Sequence, residues 1–185
     1  MVVRRDGYVR AALELLDEVG LDGLSLRKLG DKLGVQGPAL YTHFKSKQAL
    51  LDQMAETMLD DELSLLDDPE SVDDWAEWLA RRARTIRRTL LSYRDGARLH
   101  AGSRPTEQSA MTPLIKPLLA AGFSEVDSTY AILAISRYTL GCAIDEQQYA
   151  EDESNIDHDE DPADSFEYGL SSLIAGLKAA APQQR

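Results

Sequence analysis

The chain has few of the features that define several large classes of protein. Cys142 is the only cysteine among its 185 residues, which excludes an intrachain disulfide. No segment approaches the roughly 20 consecutive apolar residues that a membrane-spanning helix requires. The first residues contain no apolar run that could serve as a signal peptide. We therefore expect a protein with no membrane partner and a cytoplasmic location.

The motifs of common catalytic sites are missing as well. The sequence has no HExxH zinc motif, no G-x-S-x-G nucleophile elbow and no phosphate-binding loop. We therefore predict that the protein is not an enzyme. The alternative is a metal-assisted hydrolase whose site would combine His100, Asp145 and Glu146.

Charge is unevenly distributed along this acidic chain, whose formal net charge is -12. Residues 1–47 hold eight Lys or Arg against six acids, a net +2, and the remainder holds 12 against 26, a net -14. This distribution permits DNA binding by the N-terminal segment without proving it, and we expect the acidic remainder to limit non-specific adhesion to nucleic acid. Five arginines within 81–88 are expected to form intramolecular ion pairs. Seven acids within 151–161 predict a solvated loop.

Apolar residues recur at helical spacing along most of the chain, which predicts an all-α fold. With 43% apolar residues, the chain can bury a sizeable core. The expected helices are 4–19, two short ones within 24–47, 46–66, one that begins at Ser71, one before Gly122, 124–148 and 163–180. The helix 46–66 is expected to direct one stripe inward, formed by Leu50, Leu51, Met54, Met58 and Leu65.

The stretch from Leu24 to Lys47 predicts a helix, a tight turn and a second short helix. Ser25 can cap the first helix, and Gly34 can end it in a left-handed conformation. Pro38 suits the first turn of the next helix, because the backbone donor that proline lacks would have no partner there. A helix-turn-helix of this kind is a DNA-reading unit.

Small, hydroxyl, aromatic and cationic side chains share the outward face of the second helix, a mixture that suits phosphates and base edges in a major groove. Arg27 adds a side chain that can bind guanine edges, the commonest specific contact. The candidate DNA-binding residues are Ser25, Arg27, Gly37, Pro38, Ala39, Tyr41, Thr42, His43 and Lys47.

The segment GLSLRKLGDKLGVQGPALYTHFKSKQALL resembles the signature of the tetracycline-repressor (TetR) family of bacterial regulators. The resemblance implies an N-terminal three-helix, helix-turn-helix DNA-binding domain (1–47) and a C-terminal helical ligand-binding and dimerisation domain (48–185). It further implies a homodimeric repressor of a palindromic double-stranded operator that a small-molecule effector releases. The last helix and its long predecessor would pair with their copies in a four-helix bundle.

A second stretch, LSYRDGARLHAGSRPTE (91–107), resembles the effector pocket of the same family. The resemblance implies that His100 binds a Mg²⁺ ion brought by the effector, with no other cofactor required. Ser103, Arg104 and Pro105 would form a loop that moves on binding, and Asp145, in TLGCAIDEQQ, would help to hold metal-bound water from the second subunit. The alternative for His100 is a partly buried histidine with a backbone partner.

The resemblance is weakest at the remaining effector contacts, which correspond to Leu63, Arg82 and Ile86. The family has a histidine, an asparagine and an aromatic residue at these positions. Because the charge and the shape of these side chains both differ here, the sequence does not predict which effector binds. Leu26, Gly37 and Ala39 also replace polar residues of the reading unit. This loss of polar groups suggests another alternative, a dimeric co-regulator that does not bind DNA.

Overall fold

A computed structural model describes residues 5–35, 37–66, 74–104, 111–151 and 161–182. These residues form nine helices and no strand, so the predicted all-α fold is confirmed. The helices are α1 Arg5–Gly23, α2 Leu26–Leu33, α3 Gly37–Tyr41, α4 Lys47–Leu63, α5 Trp75–Ser92, α6 Gly96–Ala101, α7 Met111–Ala120, α8 Glu125–Glu151 and α9 Pro162–Ala180.

The chain divides into two compact units. The first contains Met1–Asp61 and Thr89–Ser109, and the second contains Glu62–Arg88 and Ala110–Arg185. The first unit therefore extends beyond the predicted DNA-binding domain, 1–47, and includes α6. The functional boundary after Lys47 remains a prediction.

The helix-turn-helix is built from local signals that the sequence carries. Helix α1 is broken at Gly20 (φ 68, ψ 172), where the sequence predicts its end. The hydroxyl of Ser25 caps α2 by accepting a hydrogen bond from the Lys28 N–H at 3.2 Å. Gly34 ends α2 in the left-handed conformation (φ 65). Helix α3 follows at once, and Leu40 and Phe44 anchor this reading unit in the core of the first unit.

Helix α4 begins as predicted but ends earlier. Ser46 caps it by accepting a hydrogen bond from the Ala49 N–H at 3.1 Å. Since α4 ends at Leu63, the predicted extension to Leu66 is wrong, and Leu65, expected to face inward, is 79% exposed.

The start of α5 also differs from the prediction. Asp74 caps this helix by accepting hydrogen bonds from the backbone N–H groups of Ala76 and Glu77. The helix therefore begins at Trp75. The predicted start at Ser71 and most of the predicted acidic loop lie outside the described residues.

The second unit has its own core, formed between α5, α7, α8 and α9. Trp75 meets Phe123 edge to face with 5.1 Å between ring centroids, and Tyr138 stacks on Phe166 at 5.7 Å. The core residues buried here include Trp78, Leu79, Ile115, Leu118, Ile132, Ile135, Phe166 and Leu170.

Within the described part of the chain, no single helix is both long and apolar enough to cross a membrane. Among the described residues, one pair of helices, Pro113–Ala120 and Glu125–Ala150, bent by 117°, meets that criterion when the two are taken together, by length and composition.

Candidate functional site

The reading unit presents the outward face that the sequence predicts. Ala39, Tyr41, Thr42 and His43 are exposed, with Tyr41 at 59%, as is Lys47 at the start of α4. Leu40 and Phe44 are fully buried on the opposite side. Of Gly37 and Pro38, the structure describes only the backbone, at the start of α3.

Three of the exposed side chains also contact their own protein, which limits their freedom before any ligand binds. The Thr42 hydroxyl donates to the Ala39 carbonyl at 2.6 Å. The ring of His43 packs against Tyr8 of α1 with 4.9 Å between centroids. The Lys47 ammonium donates to the Leu21 carbonyl at 3.3 Å. The face is therefore preorganised by α1 as well as by its own helix.

The cations of the first unit divide into two groups. Arg10 forms a bidentate ion pair with Asp61 at 2.8 and 3.1 Å, and this hydrogen-bonded carboxylate raises the pKa of Arg10. Lys32 donates to Glu18 at 2.7 Å, which likewise raises the pKa of Lys32. The second group consists of the exposed cations on either side of the reading helix in sequence, Arg27, Lys28, Lys45 and Lys47.

Ser25 and Arg27, both candidate DNA-binding residues, differ in availability. The Ser25 hydroxyl already caps α2 and is half-buried, whereas Arg27 is exposed on the first turn of that helix. The sequence did not predict the contact of Arg5 with Phe44, in which the guanidinium lies 5.6 Å from the centre of the ring. No local sequence pattern connects these two positions.

His100 lies on α6 with its ring half-buried. Burial lowers the pKa of this imidazole, which favours its neutral form. Within the described part of the chain, the buried Nδ1 atom has no hydrogen-bond partner. The half-buried position matches the alternative interpretation, but the expected backbone partner is absent for Nδ1.

The loop after His100 is hydrogen-bonded to α4. The His100 carbonyl accepts from the Ser103 hydroxyl at 2.8 Å. The Gln48 amide donates to the Gly102 carbonyl at 2.9 Å, and Asp52 accepts from the Arg104 N–H at 2.9 Å. Helix α4 therefore holds the predicted effector loop by its first two turns. Pro105 lies outside the described residues.

Gln48 and Asp52 were missed by sequence reasoning. Their spacing puts them on one face of α4, where the Gln48 amide donates to Asp52 at 2.8 Å. That spacing was a usable signal for a polar pair, but it could not identify a loop far away in the sequence.

Asp95, just before α6, is a further polar residue that the sequence did not single out. Its carboxylate is only 6% exposed and accepts hydrogen bonds of 2.7 Å from the Leu21 N–H and from Arg98. Burial alone would raise the pKa of Asp95, but these two hydrogen bonds outweigh it and hold the pKa below its usual value. Asp95 is therefore a buried carboxylate in its charged form.

The other predicted effector residues, Leu63, Arg82 and Ile86, belong to the second unit. Leu63 is half-buried at the end of α4, and Ile86 is buried within α5. The Arg82 guanidinium lies 6.0 Å from the centre of the Trp78 ring. A cavity of about 370 Å³ lies between the start of α8 and the end of α9, and none of these residues lines it.

The two acids of α8 have different surroundings. Asp145 is exposed, whereas Glu146 accepts a hydrogen bond from the Arg87 guanidinium at 3.1 Å. Arg84 pairs with Glu167 at 2.9 Å, as the arginine run predicted. Among the described residues, no group of three or more His, Cys, Asp or Glu could hold a metal ion. The metal-assisted hydrolase has no ligand cluster to support it there.

Comparison with known families identifies both halves of the chain. Residues 9–54 match the family of bacterial regulatory proteins called the tetR family, and residues 68–165 match the tetracyclin repressor-like C-terminal domain. The chain belongs to the TetR family. It is therefore a DNA-binding transcriptional repressor that responds to a ligand, and not an enzyme.

Individual TetR-family relatives match over almost the whole chain. The class C tetracycline repressor of Escherichia coli is 43% identical over 180 residues, which are 96% of this chain and 80% of that protein. A solved TetR variant from Acinetobacter baumannii in complex with minocycline is 42% identical, with a TM-score of 0.86 over 98% of this chain and 100% of that one. The class A repressor in complex with 5a,6-anhydrotetracycline and magnesium is 41% identical, with a TM-score of 0.80 over 97% and 100%.

Family membership decides between the interpretations that the sequence left open. A TetR repressor binds operator DNA and a small-molecule effector and acts as a dimer, so neither the hydrolase nor the co-regulator that does not bind DNA is supported.

Proposed function

We propose that this repressor binds a palindromic operator through the exposed face of α3 in each subunit of a homodimer, and that an effector chelating Mg²⁺ at His100 releases it. The observation that supports this proposal most directly is the pair of hydrogen bonds that join Gln48 to Gly102 and Asp52 to Arg104. They fasten the loop after His100 to α4, the helix that directly follows the reading unit.

On the DNA side, the exposed side chains divide by chemistry. Arg27 is suited to guanine edges, and Tyr41 and Ala39 offer apolar contact to thymine methyl groups. Lys47 and the ring of His43 suit phosphates. The Thr42 hydroxyl suits a phosphate once it releases the Ala39 carbonyl, because it has a single donor. Ser25, Gly37 and Pro38 would bring backbone close to the DNA. Two such heads about 34 Å apart would read half-sites one turn of DNA apart.

On the effector side, burial keeps His100 neutral, which a metal ligand requires. Mg²⁺ prefers oxygen ligands and retained waters, so one histidine suffices only where a chelating ligand supplies most of the oxygens. His100 would hold the ion, and Asp145 of the second subunit would hold a metal-bound water. Magnesium accompanies the drug in the class A relative. The residues around the organic part would be Leu63, Arg82, Ile86, Ser103, Arg104 and Pro105.

The proposed domain boundary after Lys47 separates the residues that contact DNA from those that bind the effector and the second subunit. Release would require only that the effector favours a conformation with lower operator affinity. Operator DNA lies in the bacterial cytoplasm, and we place the protein there.

The test is a titration of the DNA upstream of the protein's own reading frame, followed by fluorescence anisotropy at several salt concentrations. Anhydrotetracycline is added with Mg²⁺, or with EDTA as the control, to wild type and His100→Ala. Release that needs both Mg²⁺ and His100 supports the proposal. Tight operator binding that this ligand does not relieve would overturn the effector assignment, and no binding at any salt concentration would overturn the DNA assignment.

A further inference from the structure

The exposed face of α8 carries two charges of opposite sign, one on either side of a glycine. Arg137, Gly141 and Asp145 are all exposed, and their spacing of four residues puts them on one face of the helix. Among the described residues, a Cβ atom added to Gly141 would meet nothing within 4 Å beyond its own stretch of helix. This part of α8 is therefore open to another molecule.

The two charges have no partner inside the described part of the chain. Arg137 and Asp145 form no hydrogen bond or ion pair there. Even the exposed Arg84 and Glu167 of the same unit pair with each other at 2.9 Å. Arg137 and Asp145 lie about 12 Å apart along the helix axis, too far to pair in the same way. A second molecule can supply the charges that they lack.

The two-fold symmetry of a homodimer makes this spacing complementary to itself. A two-fold axis through Gly141, at right angles to α8, makes the two copies of the helix antiparallel. Each residue then faces the one that lies equally far from Gly141 in the opposite direction. Arg137 therefore faces Asp145 of the partner subunit, and the pair forms twice. Parallel helices would instead place like charges against each other, which is unfavourable.

The residues next outward fit the same antiparallel arrangement. Leu133 and Tyr149 are equally far from Gly141 in opposite directions. Leu133 is half-buried, and Tyr149 is 55% exposed. Each Tyr149 ring would cover a Leu133 of the partner subunit and remove apolar surface from water. Gly141 has no side chain, so the two helices can approach closely where they cross.

We propose that Arg137, Gly141 and Asp145 set the register of the homodimer and make α8 select a second copy of this chain as its partner. The proposal goes beyond dimer formation, because it assigns the residues of α8 that recognise the partner and the direction in which the helices run. Each Arg137 guanidinium binds Asp145 of the partner subunit. A carboxylate has two oxygens, so this ion pair leaves one for the metal-bound water proposed above.

The test exchanges charges between two variants. Arg137→Asp places like charges at both contacts of its own homodimer, and so does Asp145→Arg. A mixed dimer of the two variants contains two pairs of opposite charge instead. The variants are co-expressed with different affinity tags, and native mass spectrometry measures the amounts of the three dimers. We expect the mixed dimer at about tenfold or more above the statistical ratio. The double variant Arg137→Asp/Asp145→Arg should form a homodimer as wild type does.

The matched control is Glu125→Arg, which makes the same change of charge on the same helix as Asp145→Arg. Glu125 is exposed at the start of α8, about 24 Å along the helix axis from Gly141. Co-expressed with Arg137→Asp, it should give the statistical ratio. The proposal is overturned if Arg137→Asp and Asp145→Arg give no excess of the mixed dimer, or if Glu125→Arg gives an equal excess. Because neither operator nor effector is present, this result is independent of the residues assigned to DNA and to the effector.

Discussion

The ring of His43 lies against the ring of Tyr8, with 4.9 Å between centroids and 42° between planes. Tyr8 is buried in α1, whereas His43 is exposed beside the reading helix. An aromatic residue of the first helix therefore orients a side chain that we assign to DNA binding. Operator binding therefore costs little conformational entropy at His43, because the imidazole is already restrained before DNA binds.

Replacing Tyr8 tests whether this restraint matters for operator binding. Tyr8→Phe keeps the ring, so operator affinity should stay close to that of wild type. Tyr8→Leu keeps an apolar side chain but loses the aromatic face, and operator affinity should fall several-fold as His43 gains freedom. Anisotropy titrations give the affinities. Equal affinities for Phe and Leu, with both variants folded by circular dichroism, would show that the ring contact is irrelevant to DNA binding.

Arg27 and its neighbour Lys28 offer a matched comparison of base reading with phosphate binding. Both are exposed at the start of α2. Arg27→Ala should relax sequence preference at one operator position, at a cost of about 1 to 3 kcal/mol. Lys28→Ala should weaken all operator variants alike and lower the salt slope. Binding to a panel of single-base operator variants separates the two results, and uniform weakening by Arg27→Ala would argue against its assignment to bases.

The features that could be predicted from sequence are those fixed by short-range chemistry. Ser25 and Gly34 mark the ends of α2 because a helix cap depends on residues within one turn. Gln48 and Asp95 escaped notice because their partners, Gly102 and Leu21, are 54 and 74 positions away. The prediction that Leu65 faces inward was wrong. Its apolar side chain fits the helical period, but α4 ends before it.

The ion pair between Arg87 and Glu146 should stabilise the second unit more than the exposed ion pair between Arg84 and Glu167 does. Both side chains are largely buried, with exposures of 19% and 13%, and Arg87 also lies 4.9 Å from the centre of the Phe166 ring. Removing one partner leaves the other hydrogen-bonding group poorly solvated, so Arg87→Met or Glu146→Gln should cost about 1 to 3 kcal/mol.

The control for this prediction is the Arg84–Glu167 pair, whose side chains are 44% and 45% exposed. Solvent screens such a pair, and its coupling energy should be about 0 to 1 kcal/mol. Double-mutant cycles from urea denaturation measure both couplings. A larger coupling for the exposed pair would contradict the prediction.

Removing either of two buried hydroxyl groups of α8 should have different effects on the free energy of unfolding. Ser128 is fully buried and, within the described part of the chain, its hydroxyl has no hydrogen-bond partner. Ser128→Ala should therefore raise the free energy of unfolding, by up to about 1 kcal/mol. Thr139 is equally buried but donates to the Ile135 carbonyl at 2.8 Å, so Thr139→Val should give no gain. Thermal unfolding compares the two variants. Destabilisation by Ser128→Ala would contradict the prediction, because it would mean that the Ser128 hydroxyl forms a hydrogen bond in the folded protein.

The burial of His100 predicts a pH dependence with a definite sign. Burial lowers the pKa of its imidazole, so the unfolded chain binds a proton more readily than the folded one. The contribution to stability is complete above the unfolded value of about 6.5 and is lost as pH falls toward the folded pKa. His100→Gln should remove this component, whereas His43→Gln, at an exposed position, should keep it. Urea denaturation from pH 8 to pH 5 measures the difference, and parallel curves for wild type and His100→Gln would show that the folded protein does not disfavour the protonated ring.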